Sequence, residues 1–376
     1  MKLKQIISAA LSLLVAASFA GCNQSPASSE NSFVIPSNTT TNDIPSESCG
    51  DDYLLKIGEP QGGLCHAPLQ MAMELGYLDD EGVNWERVDF GSGDIQAALG
   101  SGSIDAGFGL IGKFIQPIEN GLNMVITAGM HTGCTKILTR EDSGIKDIAD
   151  LKGKTIAVSS LAGSEAITAK RALYAEGIDI SVGGGEVNFV VYSATDQPVA
   201  LMNGAVDAIA VPDPIASTAE AEYNLVTLLD TAVTKPYADE YCCVSFVSAE
   251  VAKEHPLVAA AFTRAVLKAC VWVSQHPQEA AEKQIEAQYV SGDAKFNASV
   301  LSSYKYIPSV QGGYDALKNV STELQEIGIL KKETDIDALI ERSFSYFDNV
   351  PDSYSLIGES FIASNHAPDS TPDCCG

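Results

Sequence analysis

Six residues in three short stretches carry the chain's most reactive side chains: Cys65-His66, His131-Thr-Gly-Cys134 and Cys242-Cys243. Three chemistries suit them. Thiolate and imidazole together are the ligands that zinc or copper(I) prefers, which makes His66, His131, Cys134, Cys242 and Cys243 candidate metal ligands. Cys134 with Cys242 or Cys243 could instead form a disulfide, as suits an exported protein. Or the thiols are small buried apolar groups and polar ligand contacts. No Cys-x-x-Cys pair accompanies them, so spacing alone does not choose. A nucleophile beside a base can be drawn as Ser164 or Cys134 with His66 or His131, but the spacing favours neither. The Gly-x-Ser-x-Gly elbow, the Walker loop and His-Glu-x-x-His are all missing. Cys270 falls in an apolar helical run and reads as core, whereas Cys49, Cys374 and Cys375 lie in polar terminal stretches.

The other chemically pointed stretch is Ser160-Leu-Ala-Gly163-Ser164. Gly lets a backbone come close to a ligand, and a Ser at a helix start offers its hydroxyl beside free N–H groups. An oxyanion could be held there without Lys or Arg. An ordinary helix cap is the competing reading.

These residues need elements to place them. One pattern, D-x-x-x-A-L-x-x-G-x-[IV]-D-A, occurs twice, from Asp94 to Ala106 and from Asp196 to Ala208. Each copy follows a strand, a Gly-rich turn and a helix start, so the chain reads as two similar α/β lobes in βαβ rhythm. Strands are expected near 53–58, 84–90, 104–109, 123–130, 155–159, 187–192, 208–211 and 225–229, with long helices after 258. The first lobe is discontinuous, 53–140 plus 241–348, and the second is 141–240. Two crossings near 135–145 and 235–245 make a hinge. Ligands in open α/β sheets sit outside the carboxyl ends of strands. That selects the loops 61–66, 108–112, 159–164 and 212–214. The candidate ligand contacts are therefore Gln61, Gly62, Cys65, His66, Gly109, Ser160, Gly163, Ser164 and Asp213, with His131 added from the Cys/His group expected near the cleft.

The ends of the chain read differently. Lys2 and Lys4 precede an apolar run from Ile6 to Ala17, then Phe19-Ala-Gly-Cys22. The segment reads as a signal peptide over residues 1–21, and Phe19-Ala-Gly-Cys22 resembles the lipobox of bacterial lipoproteins, which implies lipid on Cys22. No later apolar stretch is expected to approach the ~18 residues that a membrane span needs. Residues 22–52, rich in Ser, Thr, Asn and Pro, are expected to be a disordered tether, and 349–376 a flexible tail. With 23 basic and 49 acidic residues, the net charge is −26. A nucleic-acid partner needs a basic footprint, and none is visible.

The stretches Ala98-Leu-Gly-Ser-Gly-Ser-Ile-Asp105-Ala-Gly107, Asp147-Ile-Ala-Asp-Leu-Lys-Gly-Lys154-Thr-Ile-Ala-Val158 and Leu201-Met-Asn-Gly-Ala-Val-Asp207-Ala, with Glu254-His-Pro256, carry a resemblance. Over about residues 54–345 the chain resembles the ABC-importer solute-binding proteins for nitrate, sulfonates, taurine, bicarbonate and thiamine-pyrimidine precursors. The resemblance implies a two-lobed periplasmic-binding-protein-like fold (type II), each lobe a mixed sheet flanked by helices. It implies a non-enzyme without a cofactor, monomeric and lipid-anchored outside the cytoplasm, that hands a small solute to ABC permease and ATPase subunits. A small oxyanion leads as ligand, followed by a thiamine-pyrimidine precursor and a soft metal or metal chelate. A remote alternative is an enzyme of the pyrimidine-synthase type. Pro212-Asp213-Pro214 departs from the aromatic-acid-Pro pattern frequent in relatives and implies a ligand less dependent on stacking.

Overall fold

The computed structural model describes residues 49–59, 62–89, 94–181, 183 and 185–365. The expected leader, Cys22 and most of the tether lie outside the described residues, as does Gln61. In chain order the first elements are β1 (Leu55–Glu59), α1 (Ala67–Glu74), α2 (Tyr77–Asp80), β2 (Trp85–Asp89), α3 (Ile95–Gly100), β3 (Ala106–Leu110), α4 (Gly112–Glu119) and β4 (Met124–Thr132). Then follow β5 (Thr135–Thr139), β6 (Thr155–Val158), α5 (Ser164–Ala175), β7 (Asn188–Val191), α6 (Gln197–Met202), β8 (Ala208–Pro212), α7 (Ile215–Tyr223) and β9 (Val226–Asp230). The rest is β10 (Cys243–Ser248), α8 (Ala249–Glu254), α9 (Pro256–Gln275), α10 (Pro277–Glu286), α11 (Ala294–Leu301), β11 (Lys305–Ser309), α12 (Val310–Glu326), α13 (Ile336–Ser343), β12 (Ser353–Ile357) and β13 (Ser360–Ser364).

Two mixed sheets result, ordered β11-β4-β10-β3-β1-β2 and β7-β6-β8-β5-β9. In each, the first strand of the lobe lies between two parallel neighbours, and one antiparallel strand is inserted beyond the third. The inserted strand is the one that has just crossed over: β5 in the second sheet, β10 in the first. The first crossing is therefore at Gly133–Cys134. This corrects the expected boundary at 140, because β5 pairs with β8 and β9 rather than with the first sheet. Gly133 (φ +75°) is required there, since a Cβ would come within 2.6 Å of Ala232 on the return crossing.

The repeated pattern has a structural cause. In the first copy Asp105 Oδ2 accepts the Lys56 N–H at 3.0 Å, while the Asp105 N–H donates to the Lys56 carbonyl at 2.7 Å. In the second, Asp207 Oδ2 accepts from Thr155 N at 2.8 Å and the Asp207 N–H donates to the Thr155 carbonyl at 2.9 Å. Each Asp pins the start of its central strand to the first strand of the lobe. The preceding Gly102 and Gly204 both have φ +71°, the left-handed turn that leads into that strand. Asp94 caps α3 through Gln96 N, 2.8 Å away.

Core residues of the first sheet include Leu55, Ile57, Phe108, Phe114 and Phe246. The second sheet packs one face through Ile156, Val158 and Leu173 and the other through Leu201, Ile209 and Val211. By length and composition α9 could cross a membrane, against the expectation of no such stretch. It is a core helix, with Val258, Phe262, Val266 and Cys270 among its buried residues. The expected flexible tail is also corrected in part: β12 and β13 form an antiparallel hairpin. Gln275 Nε2 donates to the Leu356 carbonyl at 3.1 Å, and Phe361 meets Tyr77 edge-on at 5.4 Å. Alternating apolar residues in Tyr354, Leu356 and Phe361 give that stretch a face to dock.

Candidate functional site

The carboxyl ends of β1, β4 and β8 and the start of β10 face the junction of the lobes. A single 3₁₀ turn, Leu64–His66, follows β1 and buries Cys65 and His66. His66 Nδ1 lies 3.2 Å from the buried Glu59 carboxylate, which also accepts from Gln70 Nε2 at 2.7 Å. Burial opposes charge on His66, but Glu59 outweighs it and raises the imidazole pKa above 6.5. Among the described residues Glu59 Oε2 has no hydrogen-bond partner.

His131, at the end of β4, is fully buried. Its ring stacks on Tyr304 at 5.3 Å and is tilted against Tyr306 at 5.1 Å, with Phe108 6.1 Å away on another side. His131 Nε2 is 3.2 Å from the Cys65 carbonyl, and Nδ1 is 3.7 Å from Cys242 Sγ. Cys134 Sγ is 3.3 Å from Cys242 Sγ and 4.0 Å from Cys243 Sγ. The Sγ atoms of Cys65, Cys134 and Cys243 all lie within 4.8 Å of one another, and the donor atoms of His131, Cys242 and Cys243 do likewise. Hydrogen bonds from the Cys134 and Cys243 thiols outweigh burial and hold Cys65 well below the usual thiol range. Burial pushes Cys242 and Cys243 up.

Two buried carboxyls complete the surroundings. Asp213 follows β8; its N–H donates to the Cys134 carbonyl at 2.9 Å and its Oδ1 accepts from Ser217 N at 2.8 Å. Burial raises its pKa against those bonds. Glu165, in the first turn of α5, is also raised by burial.

The lobes meet directly. Ser164 is the first residue of α5 after the cap Gly163. Its hydroxyl accepts the Lys113 N–H of α4 at 3.0 Å and lies 3.5 Å from the Leu110 carbonyl. The Arg171 guanidinium, buried on α5, bridges Glu240 at 2.8 Å and Glu323 of α12 at 2.5 Å. Leu110, Gly112, Ser164, Arg171, Thr231 and Cys242 help line a partly open cavity of about 40 Å³ between them, room for a few water molecules.

The expected contacts thus separate into groups. Cys65, His66, His131, Cys134, Cys242, Cys243 and Asp213 converge. Ser164 is present, but its hydroxyl bridges the lobes. Gly163 supplies the cap of α5. Gly109 is buried in β3, where a Cβ would meet the Phe114 ring at 2.9 Å, so its role there is packing. Gly62 and Ser160 are exposed and stand apart. Sequence reasoning missed Glu59, Lys113, Glu165, Arg171, Tyr304 and Tyr306. Tyr304-Lys-Tyr306, an alternation of period two, was the available signal for the last pair.

Comparison with known proteins agrees with this architecture. The family model described as NMT1/THI5 like matches residues 64–280. A protein of Bacillus subtilis strain 168 named as an aliphatic sulfonates-binding protein is 27% identical over 227 residues, 57% of this chain. The match spans 65% of the length of that curated relative. Among solved structures, the periplasmic aliphatic sulphonate binding protein SsuA of Escherichia coli superposes with a TM-score of 0.63 at 19% identity, covering 82% of this chain and 94% of that one. The periplasmic nitrate-binding protein NrtA of Synechocystis PCC 6803 gives 0.64 at 16% identity, with 77% and 86% covered. Both share the two-lobed periplasmic-binding-protein fold.

Proposed function

The chain belongs to the NMT1/THI5-like family, and from that premise we propose that it is the lipid-anchored, extracytoplasmic substrate-binding protein of an ABC importer. It captures a small solute between its lobes, closes on it and docks on the permease, with no chemistry of its own. The observation that carries this reading is the pair of bridges across the junction, Ser164 to Lys113 and Arg171 to Glu323. They join α5 of the second lobe to α4 and α12 of the first beside a buried polar cluster, where a bound solute would be enclosed. Anchoring rests on Phe19-Ala-Gly-Cys22 and the polar stretch after it.

A small oxyanion, such as a sulfonate, taurine or nitrate, is the first ligand class to test. The names of the relatives support it, and so does the N-terminus of α5. A second reading, a cationic or metal-bearing ligand, is favoured by Glu165, Asp213 and the thiols that surround the junction. The test is a thermal-shift screen with sulfonates, nitrate, bicarbonate, thiamine-pyrimidine precursors and divalent metals. Stabilisation by one class, with a matching calorimetric titration, supports solute capture. A flat response to every class, with no solute co-purifying in native mass spectrometry, defeats it.

A further inference from the structure

We propose that one thiophilic cation, zinc(II) or copper(I), binds in the cluster of Cys65, Cys134, Cys242, Cys243 and His131, taking four of these five donors, at the point where both chain crossings meet. The inference stands apart from solute delivery: a cation could be held here whether or not the lobes carry cargo.

The donor atoms come from separate parts of the chain. Cys65 is on the turn after β1, His131 at the end of β4, Cys134 on the first crossing, and Cys242 and Cys243 where the second crossing enters β10. Only the tertiary fold unites them. A tetrahedral ion with bonds of about 2.3 Å to sulfur sets its ligands about 3.8 Å apart. The separations in the structure are 3.3 Å and 4.0 Å between sulfurs and 3.7 Å from sulfur to imidazole nitrogen. A metal-bound histidine usually donates its other ring N–H to a carbonyl or carboxylate. His131 has that partner in place, with Nε2 3.2 Å from the Cys65 carbonyl, while Nδ1 lies 3.3 Å from the Thr132 carbonyl and 3.7 Å from Cys242 Sγ.

A second observation points the same way. Among the described residues the hydroxyl of Tyr306, whose ring packs on His131, is buried without a hydrogen-bond partner. An unpartnered buried polar group is costly, and this one stands beside the donor set, whereas the Tyr304 hydroxyl interacts with the Asp213 carboxyl. Buried carboxyls at Asp213 and Glu165 further favour a cation over an anion at this junction.

Simple packing would need only apolar residues of similar size and would not require four thiols and an imidazole. A disulfide between Cys134 and Cys242 accounts for two sulfurs and leaves Cys65, Cys243 and His131 unexplained. Binding would displace thiol protons to solvent, so affinity should rise with pH.

The test uses the full chain, isolated without chelator and kept under argon. Zinc(II) and copper(I) are titrated separately against a chromogenic competitor, and cobalt(II) serves as a spectroscopic probe. The expected result is one equivalent bound, with a thiolate-to-cobalt charge-transfer band. Cys134→Ser and Cys242→Ser should each weaken binding at least tenfold, while Cys49→Ser leaves it unchanged. If Cys134→Ser does not fold, the half-buried Cys242 carries the comparison. Three results overturn the site: no stoichiometric binding to the reduced chain, binding indifferent to both substitutions, or a Cys134–Cys242 disulfide in the chain as isolated. Metal binding without any response to sulfonates, nitrate, bicarbonate or thiamine-pyrimidine precursors would keep the site and count against the oxyanion reading of the cargo. The reverse pattern would do the opposite.

Discussion

Ser164→Ala tests whether lobe closure depends on the contact seen at the junction. Two atoms approach the Ser164 hydroxyl across the lobes: Lys113 N at 3.0 Å and the Leu110 carbonyl at 3.5 Å. The second is too long to count as a full hydroxyl bond, so one hydrogen bond is at stake. In the open form the Lys113 N–H, at the start of α4, regains water. The net loss in the closed form is then about 0.5–1.5 kcal/mol. At about 1.4 kcal/mol per factor of ten, that shifts the closed-to-open ratio by about twofold to twelvefold. The Arg171–Glu323 bridge is untouched, so closure should weaken rather than vanish. Small-angle scattering of the ligand-free chain should show a larger radius of gyration in Ser164→Ala. Calorimetry with the solute identified in the thermal-shift screen should show affinity reduced by the same factor. Ser160→Ala is the control, because Ser160 is exposed and its hydroxyl meets only Ala162 N, at 3.4 Å. If Ser164→Ala matches the wild type in both measurements, this contact does not govern closure.

The aspartates of the repeat should act as paired clasps. Asp207→Ala strands the Thr155 N–H and should cost about 1–3 kcal/mol in urea unfolding. Asp105→Ala should cost a similar amount through Lys56, and the double variant should be close to the sum, because the two sites lie in different sheets and share no partner. A double variant no worse than either single one would refute independent clasps. The His66 pKa is raised in the fold, so its pairing with Glu59 stabilises fully below pH 6.5 and is lost as pH rises through the folded value. The stability gap between wild type and His66→Gln should therefore shrink as pH rises above 6.5; a gap constant with pH would contradict this. Gly133→Ala should lose about 1–2 kcal/mol to its left-handed backbone and a further ~1–3 kcal/mol to overpacking against Ala232. A wild-type melting temperature would show that the crossing can move aside.

Much of the fold was legible because two local signals agreed. The repeated Asp-to-Ala pattern marked a helix, a left-handed Gly turn and a strand in each lobe, and the structure has α3–β3 and α6–β8 there. What periodicity could not show was which sheet a crossing strand joins. Thr135–Thr139 is extended under either assignment, and only its pairing with β8 and β9 settles the matter. α7 and β11 were missed for a different reason. The first is short and rich in Ala and Glu, with little apolar rhythm, and the second contains Pro308. For the site, residue type was informative and local sequence was not. Cys65 and Cys134 are drawn together by the turn after β1 and the first crossing, a tertiary closeness that no spacing rule encodes. Ser164 looked like an oxyanion donor from its neighbours in sequence; its partner Lys113 comes from the other lobe.

The same residues carry both the proposed cation and the geometry of closure. Cys134 is on one crossing and Cys242 on the other, so their sulfurs can stay 3.3 Å apart only while the crossings keep their relative position. Cys65 is anchored in the first lobe by the turn that buries it. Asp213, from the second lobe, donates its N–H to the Cys134 carbonyl. A bound ion would therefore fix the crossings to the first lobe and, through that N–H, bias the second. By linkage, whatever changes the closed-to-open ratio must then change cation affinity, by at most the same factor. Ser164→Ala, about 0.5–1.5 kcal/mol against closure, should lower zinc affinity by up to the same twofold to twelvefold without touching a ligand. An affinity unchanged in that variant would mean that the thiol site and the lobe junction are energetically separate, although they share the Cys134 peptide.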